Sequence, residues 1–298
     1  MASRAHTDAA DTDAAEAGTV GAGTAELAPG VPRRVAPGAW RLVAPNASLM
    51  TGPGTNTYLL GDPPVAVLDP GPGDPAHLEA ILAVVPQPTT VFVTHTHRDH
   101  SPLAATLAAR TGARLVGRRP PGDGRQDLSF VPTHEPARDE VFDVGGLRLR
   151  AIDTPGHASN HVCWLLEADS LLFTGDHLLD GVTPVILAPD GDMTDYLDSL
   201  DRLRGYALSR LAPGHGRVLE SPYELIDQVV AHRLRREAMV IEALTAAGEA
   251  GLDELVGVVY RGIGVELQRF ARLSLLAHLI KLGREGRASR VGERWHVA

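Results

Sequence analysis

The sequence predicts an α/β fold of the α+β kind: an αββα sandwich followed by a small helical domain. Three observations carry this reading. Short apolar runs with strand character fall into two groups, one between positions 40 and 116 and one between 141 and 174, with helical stretches interspersed. Ligand-type side chains recur directly after ordered elements. After Pro222 the pattern turns to helix. Two strand-rich halves with helices form a layered sandwich, because each sheet has to bury one face against its partner and the other against helices.

The elements follow in order. Residues 1–30 are rich in Ala, Thr, Asp and Gly without apolar periodicity, and read as a disordered tail. The fold begins with a strand at Trp40-Arg41-Leu42-Val43. Strands then recur over 57–60, 65–69, 90–94 and 113–116, with helices over 77–84 and 103–111. Residues 117–131 are rich in Gly, Pro and Arg and read as a loop. A second strand group covers 141–143, 147–152, 161–167 and 171–174. A helix fits 195–204, and another ends near Ser209. The large domain thus spans 31–221. Over 222–298 come helices at 223–247, 252–260 and 266–283, then a short hairpin over 290–297 turning at Gly292. Helix, helix, helix and hairpin is a winged-helix pattern.

With 298 residues, 44% of them hydrophobic, the chain can build one substantial core and one small one. No apolar run is long enough to span a bilayer. No secretory signal is visible, and the lone Cys163 excludes an internal disulfide framework. These features predict a cytoplasmic protein. Cys163 lies within Val162-Cys163-Trp164-Leu165-Leu166 and reads as a buried strand residue. The net charge of −9 argues against general nucleic-acid affinity.

The chemistry concentrates in His95-Thr96-His97-Arg98-Asp99-His100, which follows the apolar Val91-Phe92-Val93. Residues i and i+2 of an extended segment share a side, so His95 and His97 can face one cation. Asp99 and His100 come as the chain turns and can face a second position. Imidazole and carboxylate suit zinc and other divalent first-row metals. One run cannot fill two metal shells, and three later segments offer partners: Thr154-Pro155-Gly156-His157, Thr174-Gly175-Asp176-His177 and Ala212-Pro213-Gly214-His215-Gly216. In each, a glycine permits a tight turn before the ligand.

Together these segments resemble the motifs of the metallo-β-lactamase-fold hydrolases, with Asp69 closing the strand Val65-Ala66-Val67-Leu68 as the first motif. The resemblance implies that His95, His97 and His157 hold one metal, that Asp99, His100 and His215 hold a second, and that Asp176 bridges them. It implies two Zn2+ per chain; manganese or iron suits the same donors. Asp69 would support the ligand loop from behind. Met50-Thr51-Gly52-Pro53-Gly54-Thr55-Asn56-Thr57-Tyr58-Leu59-Leu60, Gly191-Asp192-Met193, Tyr196-Leu197-Asp198-Ser199-Leu200 and His232-Arg233 resemble the β-lactamase-like protein 2 subgroup, as does the appended winged helix. One departure is Ser101-Pro102-Leu103, where the family often has two glycines; proline still suits a helix start.

The implied reaction is hydrolysis by a metal-activated hydroxide, which needs no protein nucleophile. Asp99 and Asp176 are candidate catalytic groups, and His177 is a candidate to line the pocket and donate to substrate. His161 is weighed for the same role. His6, His77, His134, His232, His278 and His296 read as surface or packing residues. The expected substrate is a small ester, thioester or acyl compound, including acyl-carrier and coenzyme A thioesters. The subgroup resemblance implies an alternative, a single-strand-specific endoribonuclease acting on single-stranded RNA; Arg269, Arg272, Lys281, Arg284, Arg287, Arg290 and Arg294 make the C-terminal segment locally basic. We read that segment first as a module packed beside the site. Oligomeric state has no signature in the sequence.

Overall fold

The computed structural model describes residues 26–298. Its first half contains β1 (Arg33–Ala36), β2 (Ala39–Val43), β3 (Asn56–Gly61), β4 (Pro64–Leu68), α1 (Pro75–Val84), β5 (Thr90–Phe92), α2 (Leu103–Thr111) and β6 (Arg114–Val116). The second half contains β7 (Val141–Val144), β8 (Leu147–Asp153), β9 (Val162–Leu166), β10 (Leu171–Gly175), α3 (Met193–Leu203), β11 (Arg210–Pro213) and β12 (Leu219–Glu220). Last come α4 (Pro222–Ala247), β13 (Glu249–Gly251), α5 (Leu252–Val259), α6 (Gln268–Arg284), β14 (Ala288–Val291) and β15 (Arg294–Val297).

The strands form two six-stranded sheets, ordered β1-β2-β3-β4-β5-β6 and β12-β11-β10-β9-β8-β7, and a small sheet ordered β13-β15-β14. Pairing is antiparallel except at β4–β5, β5–β6 and β10–β11. The two large sheets face each other across one apolar layer. Tyr58, Leu60, Leu68 and Phe92 from the first meet Leu149, Trp164, Leu166 and Phe173 from the second. Phe92 and Trp164 pack edge to face at 4.9 Å, and Trp164 Nε1 donates across the layer to the Val93 carbonyl. At roughly 1.5–3 kcal/mol for each fully buried large side chain, this layer sets the spacing of the sheets.

The outer faces are covered by helices, which completes the αββα order. On the first sheet, Leu59, Val67, Val91 and Val93 pack on Leu78 and Ile81 of α1 and on Leu103 and Leu107 of α2. On the second, Ile152, Leu165, Leu172 and Leu211 pack on Tyr196, Leu200 and Leu203 of α3 and on Ile226 and Val229 of α4. Local signals start these helices. The Asp74 carboxylate accepts the His77 amide ahead of Pro75, and Asp192 accepts the Thr194 and Asp195 amides. Helix α4 belongs to two cores: Val240, Ala243 and Leu244 in its second half join α5, α6 and Trp295. That smaller unit, three helices against a three-stranded sheet, is the expected winged helix.

Two expectations are corrected. The element before His215 is strand β11, not a helix ending near Ser209; α3 stops at Leu203, and the chain turns through Gly205 to pair with β10. The expected disordered tail falls mostly on 1–25, outside the described residues. Residues 26–30, by contrast, are anchored: the buried Arg41 guanidinium donates to the Glu26 carbonyl and carboxylate, and the Gly30 amide donates to the Val43 carbonyl.

Candidate metal centre

Every segment singled out for its ligands ends at the same edge of the sandwich. The run from His95 follows β5 of the first sheet, while His157, Asp176 and His215 follow β8, β10 and β11 of the second. The two sheets meet here through Thr94. Its carbonyl accepts the Val162 amide at 2.7 Å. Gly175 has φ +47, and a Cβ there would lie 2.5 Å from Thr94 Oγ1, so only glycine lets the Asp176 turn close on the His95 turn.

Two ligand groups result: His95, His97 and His157 form one, and Asp99, His100, Asp176 and His215 form the other. Asp176 stands between them. Its Oδ2 lies 3.7 Å from His157 Nε2, and its Oδ1 lies 3.3 Å from Nε2 of both His100 and His215.

The surrounding hydrogen bonds assign the tautomers. His157 Nδ1 donates to the Val185 carbonyl at 2.7 Å, and His215 Nδ1 donates to that of Gly54 at 3.2 Å. Asp69 accepts from His100 Nδ1, from the Thr94 amide and from Thr94 Oγ1. With its proton given to Asp69, Thr94 Oγ1 can only accept from His95 Nδ1, 3.0 Å away. The Nε2 atoms of His95, His100, His157 and His215 are therefore the ring nitrogens turned inward, free to bind a cation. Donation of one ring N–H to a carbonyl or carboxylate is the arrangement that orients metal-binding imidazoles.

Bare nitrogens do not crowd together without a positive charge between them. Yet His95 Nε2 and His157 Nε2 each approach His97 Nδ1 to 3.0 Å, and one proton cannot serve both contacts. His100 Nε2 and Asp176 Oδ1 are buried without a hydrogen-bond partner. The residues fit divalent cations. Burial depresses the basicity of the first group, with His97 down to about 3, so these rings are neutral donors. At His215 burial is outweighed by Asp176 and Asp99, which raise its pKa to about 9. Burial also opposes the Asp99 charge, but His100 and His215 outweigh it and pull that carboxyl down to about 2. The second group thus demands positive charge.

Asp69, at φ +50, is almost fully buried and makes the contacts of a support for His100. His177 does not stand where the sequence reading placed it. Its ring is fully buried, packs on Tyr196 at 4.8 Å, and neither nitrogen has a hydrogen-bond partner. The turn after Gly175 sends Asp176 to the ligands and His177 to the core. A group without exposed surface cannot donate to substrate, and no catalytic role for it is carried forward. His161 is also buried; it stacks on His95 at 5.1 Å and contacts Thr154 Oγ1. Sequence reading missed Thr94 as the hub of the support network. It also missed Asn56, whose amide donates to the Pro213 and Gly216 carbonyls and holds the His215 turn.

The profile of the metallo-beta-lactamase superfamily matches residues 50–215, and that of the beta-lactamase-associated winged helix domain matches 252–295. The chain belongs to the metallo-β-lactamase superfamily and is a hydrolase of that superfamily with an appended winged-helix domain. It is 30% identical over 253 residues to a beta-lactamase-like protein 2 homolog of Drosophila melanogaster, covering 80% of this chain and 85% of the relative. It is 29% identical over 255 residues to an atrochrysone carboxyl ACP thioesterase of Aspergillus fumigatus, covering 78% and 76%. Among solved structures it resembles a metallo-beta-lactamase family protein from Thermus thermophilus, with a TM-score of 0.75, 25% identity and coverage of 89% and 100%. No helix among the described residues is long and apolar enough to cross a membrane.

Proposed function

We propose that this chain is a dinuclear zinc hydrolase acting on an ester, thioester or similar small acyl substrate. The observation that carries the reading is the placement of Asp176 between two complete ligand groups. His95, His97 and His157 would hold one ion, and Asp99, His100 and His215 the other, with Asp176 reaching both. Bound there, two divalent cations supply Lewis acidity and lower the pKa of water. Asp99 keeps 28% of its side chain exposed, more than its carboxylate partner Asp176, so it is the carboxylate placed to pass a proton to solvent.

An acyl substrate is supported by the thioesterase name among the relatives. RNA has less support than the sequence offered. Arg272, Lys281, Arg284, Arg287, Arg290 and Arg294 each face a carboxylate, so most of the basic segment is already neutralised. We place the catalytic unit at 31–221 and the appended unit at 222–298, in the cytoplasm.

Metal analysis of the purified chain and an acyl-thioester panel, with and without chelator, test the proposal. Two zinc ions per chain and chelator-sensitive hydrolysis are expected. His97→Ala and Asp176→Ala should each lower kcat/KM at least 10^3-fold, about 4 kcal/mol of transition-state stabilisation. Full activity in stripped enzyme would overturn it. Chelator-sensitive cleavage of single-stranded RNA, without thioester turnover, would transfer the reading to the alternative.

A further inference from the structure

We infer that the C-terminal helices position the metal ligand His157, through Arg233 of α4 and Arg284 of α6. The inference rests on the metal-site reading above. His157 lies past the end of β8 in an irregular segment, and two stretches hold that segment. One is the loop carrying Val185, whose carbonyl accepts His157 Nδ1 at 2.7 Å. The other is the start of α3, where the Asp192 amide donates to the Gly156 carbonyl at 2.8 Å. There Gly156, at φ +141, sits so close that a Cβ would fall 2.3 Å from Tyr196 Cα.

Both stretches are gripped from the C-terminal helices. Arg233 donates from its guanidinium to the Pro184 carbonyl, one residue before Val185, and lies 5.5 Å over the Tyr196 ring. Arg284 pairs with Asp192, the residue that caps α3. Arg233 is only 4% exposed, and no carboxylate pairs with it among the described residues. A buried guanidinium without a carboxylate is costly. Its partners, a loop carbonyl and an aromatic face, are the two walls of the His157 segment. Groups that hold a ligand's outer nitrogen set its orientation, and their loss typically weakens metal binding 10- to 100-fold. Arg233 and Arg284 are positioning residues, acting through Val185 and Gly156 and not on substrate.

The test uses the full chain, stripped of metal and titrated with cobalt. The visible cobalt spectrum reports ligand geometry, and equilibrium dialysis reports affinity. R233M keeps the unbranched apolar stem of the side chain and removes its donors and charge. It should weaken one of the two cobalt sites about tenfold and alter the spectrum. R284A should shift both readouts the same way by a smaller amount, with little change in thermal stability of the metal-free chain. Wild-type affinity and spectrum in a folded R233M would overturn the inference. Should R233M not fold, R284A decides it by the same criterion, because its ion pair is at the surface. No cobalt binding by the wild-type chain would instead overturn the metal-site reading itself.

Discussion

Asp69 touches no other ligand than His100, yet it fixes the geometry of the His95 run. It accepts three hydrogen bonds in a buried pocket and adopts a left-handed backbone that Asp tolerates better than most residues. Removing the carboxylate frees His100 to rotate and leaves the Thr94 amide and hydroxyl protons without their acceptor, each at about 1–3 kcal/mol. We predict that Asp69→Ala weakens the ion site of Asp99, His100 and His215 by 10- to 100-fold in equilibrium dialysis. Unchanged affinity would show that Asp69 only shapes the turn. At this scale the sequence was highly legible for candidate ligands, whose side chains the fold gathers into two groups, because imidazole and carboxylate at strand ends have few other uses. It was poor for supports: Thr94 is an ordinary strand threonine until the fold brings Asp69 beside it. His177 looked functional by adjacency to Asp176, and nothing in sequence spacing reveals which of two neighbours a turn buries.

The strands and helices with strong periodicity lie within a residue or two of expectation; α2 spans Leu103–Thr111 as read. The elements that escaped are short and carry no pattern of their own. Strand β11 has four residues and ends in proline, and it exists because β10 offers a parallel edge. Strand β13, Glu-Ala-Gly, has no β-branched residue and forms by pairing with β15. The turn after β11 shows how tightly such an element is specified. A Cβ at Gly214 would lie 2.6 Å from Asp176 Oδ1 and 2.7 Å from His100 Cε1. Gly214→Ala should therefore displace both ligands. The expected outcome is more than tenfold loss of metal affinity with an unchanged far-UV circular dichroism spectrum. Wild-type affinity would mean that the turn yields elsewhere.

Across the whole molecule, α4 lies in both the sandwich layer and the small core, so the two units are joined by packing as well as by chain. Near this junction His278 is buried, and its pKa is lowered to about 3, first by burial and then by Arg233 and Lys281. The unfolded chain binds this proton near pH 6.5, whereas the folded chain binds it only near 3. Between those values the unfolded state holds more protons, so stability falls as pH falls. His278→Gln removes this titration. Its stability difference from wild type, measured by urea unfolding, should move in its favour by about 2–3 kcal/mol between pH 7 and pH 4. A constant difference would show that His278 stays uncharged in both states. The seam at Thr94 has a different consequence. The His95 run hangs from one sheet, and His157, Asp176 and His215 hang from the other. A cation shared between them would cross-link the sandwich in a chain whose single cysteine can form no internal disulfide. It would bind only the assembled sheets, and at a hundred times its Kd it would add about 2.7 kcal/mol to stability. Chelators, not reductants, are then the agents that unfasten this protein, and its resistance to heat becomes a measure of how much metal its surroundings supply.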